Sequence, residues 1–232
     1  EKFTLSNGLR LLVREDDRLP LVSMVATFRG GLLAESPADN GIARLFARTL
    51  LKGTTTRSAE QIAEAIESVG GALGSDSGNN SVSVTARVLR PDLAHGLGLL
   101  SDILLNANFP AAALSRERDA QLASIKADDE EITSNARNLL RAHLFSGHPF
   151  AMPLLGTPDT LAALEPAALA AFRDRHVVGA NGVLSVFGAV KPGEVRDLAE
   201  SALASLPRGA QALEKIVQPQ FADRNSTRLN SS

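Results

Sequence analysis

Strand-like and helix-like segments occur in blocks along this chain, and this arrangement constrains the fold more than any other feature. Residues 3–5 and 9–13 are extended runs on either side of Asn7-Gly8, a dipeptide typical of hairpin turns. Apolar and polar residues alternate over 82–88, as in a half-buried strand. Apolar residues at helical spacing predict a helix over 40–51. Such blocks predict an α+β fold, with helices packed on one face of a largely antiparallel sheet.

Composition excludes several classes of function. The 232 residues include no Cys, which excludes disulfide scaffolds, thiolate zinc sites and cysteine catalysis. A formal net charge of -2 argues against a nucleic-acid partner, because phosphate binding requires a basic excess. No apolar run approaches the ~18 residues of a membrane span, so we expect no transmembrane segment. No helix offers two imidazoles at i,i+4, since the four histidines are His95, His143, His148 and His176.

Six short segments carry a resemblance to a known family. In chain order they are residues 4–13, 41–54, 70–73, 116–118, 147–157 with its G-H-P-F and L-G-T motifs, and 181–188. In this order they resemble the first lobe of insulinase (pitrilysin) family zinc metallopeptidases, over residues 1 to about 210. The resemblance implies the α+β lobe of that family.

The helix near residues 41–54 is where the chain departs from the family. Its sequence G-I-A-R-L-F-A-R-T-L-L-K-G-T is similar to a family pattern, G-x-A-H-x-x-E-H-x-x-x-K-G-T. In that pattern two His bind zinc, and the Glu is the general base that activates the metal-bound water. The resemblance places Arg44 and Arg48 at the two His positions and Ala47 at the base. It places Ser124 at the third ligand, a Glu in the family, and Glu117 at a helper carboxylate.

Arginine at these positions does more than remove a ligand. A guanidinium has no lone pair to donate and is positively charged at any accessible pH, so Arg44 and Arg48 repel a dication. We therefore expect no metal, no cofactor and no general base at this site. We expect that the chain is not catalytic alone.

Arg44 and Arg48 have two interpretations. In the first, they bind a carboxylate of a substrate or of a partner protein. In the second, they belong to an ordinary solvated helix face and pair with Glu117 or another nearby acid. We favour the second interpretation, because surface arginine pairs are common.

Residues 72–77 are the other candidate contact. By resemblance, this segment, with Gly74 and Ser75, offers a strand edge to which a substrate strand adds. The family usually has Asn at position 74. Among the histidines, we expect His148 in a turn, and His143 and His176 partly exposed at helix ends.

The resemblance implies three alternative functions. In the first, the chain is a non-catalytic half or subunit of a zinc metalloendopeptidase, as in a heterodimer. A catalytic insulinase-family subunit or half would then carry the zinc and share a peptide chamber with it. In the second, the chain is a structural scaffold, similar to core proteins of a respiratory complex. The third, an active peptidase with a relocated site, is the least favoured, because no nucleophile–base pair is evident.

The resemblance also divides the chain. Residues 1–150 correspond to the family's N-terminal-type region, and 151–223 to the start of its C-terminal-type region, packed on the same lobe. Residues 224–232 are polar and patternless, and we expect a disordered, artefactual tail. Because the chain does not begin with Met, we expect a mature chain or a fragment that represents one lobe. We expect the bacterial periplasm or cell envelope, with the cytoplasm as the alternative.

Overall fold

The computed structural model describes residues 1–212 of the chain. The strands in this part are β1 (Lys2–Thr4), β2 (Arg10–Glu15), β3 (Leu21–Arg29), β4 (Ala72–Ser77), β5 (Ser81–Leu89) and β6 (Gly182–Gly188). The α-helices are α1 (Ile42–Leu50), α2 (Ala59–Glu67), α3 (Leu93–Asn106), α4 (Ala111–Glu130), α5 (Ile132–Leu144), α6 (Pro158–Ala163), α7 (Pro166–His176) and α8 (Pro192–Ala202).

All of these strands form one sheet, in the order β1-β2-β6-β3-β5-β4. Neighbouring strands are antiparallel except β2 and β6, which run parallel. The Asn7-Gly8 turn joins β1 to β2, and Gly8 has a φ of 86°, which glycine adopts without strain. Strand β4 is the last strand at one side of the sheet, so one of its edges is unpaired within residues 1–212. The predicted α+β fold with a largely antiparallel sheet is confirmed.

The two faces of the sheet differ in burial. On β3, Val22, Met24, Ala26 and Phe28 are buried, and the residues between them are more exposed. This alternation directs one face of the sheet into the core beneath helices such as α1, α3 and α8. The opposite face carries large apolar side chains that are exposed: Leu12, Leu21, Leu89 and Phe187. Helix α1 therefore lies on the buried face of the sheet, next to the edge strand β4.

Local sequence signals account for several element boundaries. The backbone N–H of Gln61 donates to Ser58 Oγ at 3.3 Å, and the Ser58 N–H donates to Gln61 Oε1 at 2.8 Å. This is a capping box, formed by the Ser-x-x-Gln pattern at the start of α2. Residues 156–159 include a second such signal. Thr157 caps a short helix there, α6, with Pro158 at its first position.

Residues beyond position 150 complete the sheet that the first residues begin. Strand β6 lies between β2 and β3 and pairs with both. The division at residue 150 stays a prediction. The predicted tail at 224–232 lies outside the described residues, as does the end of the 151–223 region. Within residues 1–212, no helix is long and apolar enough to cross a lipid bilayer.

Candidate functional site

Helix α1 carries three of the positions that the resemblance marks as a catalytic site. Its apolar face is held in the core: Phe46 is fully buried, with its ring centroid 5.1 Å from that of Phe172. The helical period then directs residues 44 and 48 away from the core. The side chains of Arg44 and Arg48 are 31% and 29% exposed. Ala47, at the general-base position, is buried.

A buried carboxylate holds the N-terminus of α1. Glu35 accepts hydrogen bonds from the backbone N–H of Gly41 at 2.8 Å and of Ala43 at 3.0 Å. It also accepts one from Asn40 Nδ2 at 2.7 Å. Burial raises the pKa of Glu35 above its ordinary value, although these hydrogen bonds act in the opposite direction. Glu35 therefore satisfies backbone donors that the first turn of a helix otherwise leaves unpaired.

Ion pairs occupy the exposed face of α1. Arg48 Nε donates to Glu117 Oε2 at 3.0 Å, and Lys52 Nζ lies 3.0 Å from Glu117 Oε1. One turn earlier, Arg44 Nη1 donates to the carboxylate of Asp76 on β4. The predicted ion pair between Arg48 and Glu117 is confirmed, and Asp76 is the nearby acid that pairs with Arg44. Binding of a substrate or partner carboxylate by either arginine stays a prediction.

The two guanidinium groups retain hydrogen-bond donors. Each has five N–H donors, and their hydrogen bonds within residues 1–212 use only Nη1 of Arg44 and Nε of Arg48. Arg44 Nε is buried and has no hydrogen-bond partner among the described residues. A buried donor without an acceptor costs about 1–3 kcal/mol.

Strand β4 lies alongside α1 and is joined to it by a hydrogen bond. Ser75 Oγ donates to the carbonyl oxygen of Ala47 at 2.6 Å. A side chain at Gly74 would meet no atom within 4 Å, so the strand is open at that point. A cavity of about 400 Å³ lies between α2 and the first residues of β4, with Lys52 and Leu73 in its lining. The edge of β4 and the cationic face of α1 thus border the same surface.

Helix α4 contributes one buried contact that sequence reasoning missed. Gln121 is fully buried, and its Nε2 donates to the carbonyl oxygens of Gly41 at 3.2 Å and Leu155 at 2.8 Å. It thus connects α4 to the start of α1. Ser124, at the predicted third-ligand position, donates its hydroxyl to Ala120 O of its own helix at 2.9 Å. The available signal for Gln121 was its spacing, because it stands seven residues after Leu114 and four before Ile125, on the apolar face of α4.

The residues at the predicted ligand positions do not fit a zinc ion. Catalytic zinc sites have three protein ligands, drawn from His, Cys, Asp and Glu. Arg44, Ala47 and Arg48 offer no such ligand, and the hydroxyl of Ser124 is bonded to its own helix. Glu117 is the one carboxylate of this set, and it is already shared by two cations. Within residues 1–212, no group of three or more His, Cys, Asp or Glu residues is arranged to hold a metal.

The histidines lie at separate places in the fold. His148 is buried in its turn, where Nδ1 accepts from the N–H of Phe150 at 3.1 Å, and a ring nitrogen of His95 lies 2.8 Å from a backbone carbonyl oxygen. His143 is exposed on α5. The prediction that His176 is partly exposed was wrong. It is buried at the end of α7, with its ring centroid 4.4 Å from that of Phe172, and burial lowers its pKa.

The single-layer sheet, the ligand positions on α1 and the edge strand beside them define a peptidase-like lobe. Residues 11–158 match the family described as Insulinase (Peptidase family M16). The chain therefore belongs to this family. The resemblance drawn from its six segments is confirmed.

Relatives and solved structures extend the match over nearly the whole chain. The uncharacterized zinc protease YmxG of Bacillus subtilis is 25% identical over 229 residues, which cover 98% of this chain and 55% of that protein. A peptidase M16 inactive domain from Pseudomonas fluorescens has the same fold, with a TM-score of 0.90 and 24% identity, over 95% of this chain and 53% of that one. The Complex III2 structure from Candida albicans contains a chain with a TM-score of 0.73 and 20% identity, over 96% and 50%.

These matches also show how long the chain is relative to the proteins it resembles. The chain spans about half the length of each of these three proteins. The two structural likenesses establish the fold and nothing finer. Each of the three proteins therefore has about as many residues again beyond the part that matches this chain.

Proposed function

We propose that this chain is a non-catalytic half or subunit of a zinc metalloendopeptidase that shapes a peptide chamber and helps to bind the substrate. The observation that carries the proposal is the contrast within α1. The helix keeps its place against the sheet, but ion pairs with Glu117 and Asp76 occupy its ligand face. This arrangement retains a surface for peptides and lacks the chemistry to cleave them.

The partner in this proposal is a catalytic insulinase-family half or subunit that carries the zinc. Support comes from the length of the relatives, of which this chain spans about half. Peptide substrate would lie between the two halves, in contact with Arg44, Arg48 and Glu117 and with the edge at Gly74 and Ser75. We place the assembly in the bacterial periplasm or cell envelope, by resemblance to exported two-subunit members of the family.

Peptide binding without cleavage is the test of this proposal. Labelled, unstructured peptides would be titrated against the chain, with fluorescence polarisation to follow binding and mass spectrometry to follow cleavage, with and without added zinc. We expect binding and intact peptide in both conditions. Hydrogen exchange should show that peptide protects the amides of β4, because an added strand pairs with an open edge. Exchange of β1, at the opposite side of the sheet, is the internal control.

Two results would contradict the proposal. Zinc-dependent cleavage by the chain alone would show that it has a site of its own. Absence of binding by all peptides would remove the role in substrate binding. In that case the scaffold function becomes the better account.

The scaffold function is the second candidate, favoured by the likeness in fold to a chain of the Complex III2 structure. A scaffold subunit acts through stable interfaces and requires no peptide affinity. The exposed apolar side chains on the open face of the sheet, among them Leu21 and Phe187, suit such an interface. The titration above separates the two candidates, since only the first predicts protection of β4 by peptide.

A further inference from the structure

Three cationic side chains lie along the surface between α1 and β4. Arg44 pairs with Asp76, and Arg48 and Lys52 share Glu117. Glu67 lines the cavity beside Lys52. The Asp76 side chain is 71% exposed, so its ion pair with Arg44 is surface-exposed and weak. A carboxylate brought by a ligand can therefore replace Asp76 at little cost.

The arginines also have the donors that such a ligand needs. Within residues 1–212, Arg44 donates to Asp76 through Nη1 and Arg48 donates to Glu117 through Nε, and neither hydrogen bond uses the Nη2 group. Guanidinium groups bind carboxylates through two parallel N–H donors, and such charge-assisted hydrogen bonds are about twice as strong as those between neutral groups. Carboxylate is therefore the chemical group that this surface best recognises.

The position of the arginines relative to β4 sets the spacing of the ligand. Arg44 contacts Asp76, and the next turn of α1 contacts Ser75 through Ala47. Further on, Lys52 and Leu73 line the same cavity. The chain direction of α1 is therefore opposite to that of β4, and the row of cations follows the open edge of the strand.

Along this row of cations, the distance between successive arginines is similar to the distance between alternate residues of a strand. Residues 44 and 48 are separated by about 6 Å along the helix axis, at 1.5 Å per residue. Alternate residues of an extended strand lie about 6.6 Å apart and point to the same side of the sheet. A peptide added to the edge of β4 would present alternate side chains to the helical layer, at the spacing of the two guanidinium groups.

From these observations we infer that the chain selects extended acidic peptides with carboxylates at alternate positions, Glu-x-Glu, which pair with the edge of β4 and contact Arg44 and Arg48. This inference rests on the proposed function, since it specifies the peptide that the same surface binds. Selection of acidic sequences follows from the arginines themselves, which stand where the resemblance places zinc ligands.

The test compares three peptides of equal length by fluorescence polarisation on the unmodified chain. One carries Glu-x-Glu, the second Gln-x-Gln, and the third the same two Glu residues side by side. We expect Glu-x-Glu to bind about tenfold more tightly than Gln-x-Gln, which corresponds to about one charge-assisted hydrogen bond. The adjacent pair should lie between them, because only one of its carboxylates faces the helix. The preference should decrease at high salt.

Substitutions of the two arginines test whether they are the source of the preference for Glu peptides. Arg44→Met and Arg48→Met should each remove most of the preference for Glu over Gln. Arg10→Met is the matched control, since Arg10 is an exposed arginine on β2, far from β4 in the sheet. Equal affinity of the unmodified chain for the Glu and Gln peptides would overturn the inference and leave the proposed function standing. Failure of all three peptides to bind would overturn both.

Discussion

The two faces of helix α1 differ in what holds their side chains. On the inner face Leu45, Phe46 and Leu50 are fully buried in the core. On the outer face Arg44 and Arg48 are partly exposed and are held by ion pairs with acids from β4 and α4. The inner face determines where the helix lies, and the outer face determines what chemistry it offers. Residues on the outer face can therefore change without loss of the packing that places the helix.

The comparison also explains why arginine is accommodated so readily. A helix position that points towards solvent and a carboxylate accepts a long cation without repacking the core. Ala47 stands between the two faces, buried beside β4. Its carbonyl oxygen accepts a hydrogen bond from Ser75 Oγ at 2.6 Å, so this contact with β4 is made by the backbone of α1 and not by the side chain at position 47.

The largest effect is expected on the inner face. Phe46→Ala should lower the free energy of unfolding by about 3–5 kcal/mol, because it removes a fully buried ring that packs on Phe109 and Phe172. Urea denaturation followed by circular dichroism measures it. Phe187→Ala is the control: this ring is 44% exposed on the open face of the sheet, and its loss should cost below about 1 kcal/mol. A similar loss of unfolding free energy in both variants would contradict the difference in packing between the buried and the exposed ring.

An intermediate effect is expected where α1 begins. Glu35→Ala leaves the N–H groups of Gly41 and Ala43 without their acceptor, and should cost about 1–3 kcal/mol. Glu35→Gln keeps one acceptor oxygen and should cost less. Chemical denaturation of both variants at neutral pH gives the comparison. An Ala variant as stable as the unmodified chain would show that the cap does not hold the helix.

The unmodified chain and the Glu35→Gln variant also test the pKa of Glu35. Because burial raises this pKa in the folded state, the folded chain binds more protons than the unfolded chain between the ordinary and the raised value. The stability of the unmodified chain should therefore fall relative to Glu35→Gln as pH rises from about 4.5 through the folded pKa. A difference that stays constant with pH would contradict the raised pKa.

The smallest effect is expected on the outer face. Arg48→Met should change the free energy of unfolding by less than about 1 kcal/mol, because the ion pair is partly solvated and Glu117 keeps Lys52 as a partner. A double-mutant cycle with Glu117→Gln measures the coupling between the two side chains. Coupling of several kcal/mol would mean that the outer face contributes to stability as the inner face does.

Local patterns in the sequence predicted much of this fold. The Asn7-Gly8 hairpin, the alternating residues of β5 and the Ser58–Gln61 capping box each depend on residues close together in the chain. The prediction that His176 is partly exposed was wrong, because its ring packs against Phe172 inside the core. Helical position alone does not reveal that packing.

The candidate site was predictable in part. The motif comparison marked Arg44, Ala47 and Arg48, and the sequence offered Glu117 or another nearby acid as a partner for the two arginines. Asp76 and Glu35 were missed, because their contacts with α1 depend on how β4 and the preceding loop fold against it. Side chains that are polar and brought close only by the tertiary structure leave no periodic signal in the sequence.

Zinc content per chain tests the central claim most directly, on protein purified without chelator and measured by atomic emission. We predict a value well below one zinc per chain, because Arg44, Ala47 and Arg48 supply no ligand. A matched variant, Arg44→His with Arg48→His, restores two imidazoles at i,i+4 beside Glu117 and should bind more zinc than the unmodified chain. Near one zinc in the unmodified chain would contradict the account, and its ligands would have to be sought among His95, His143, His148 and Glu117.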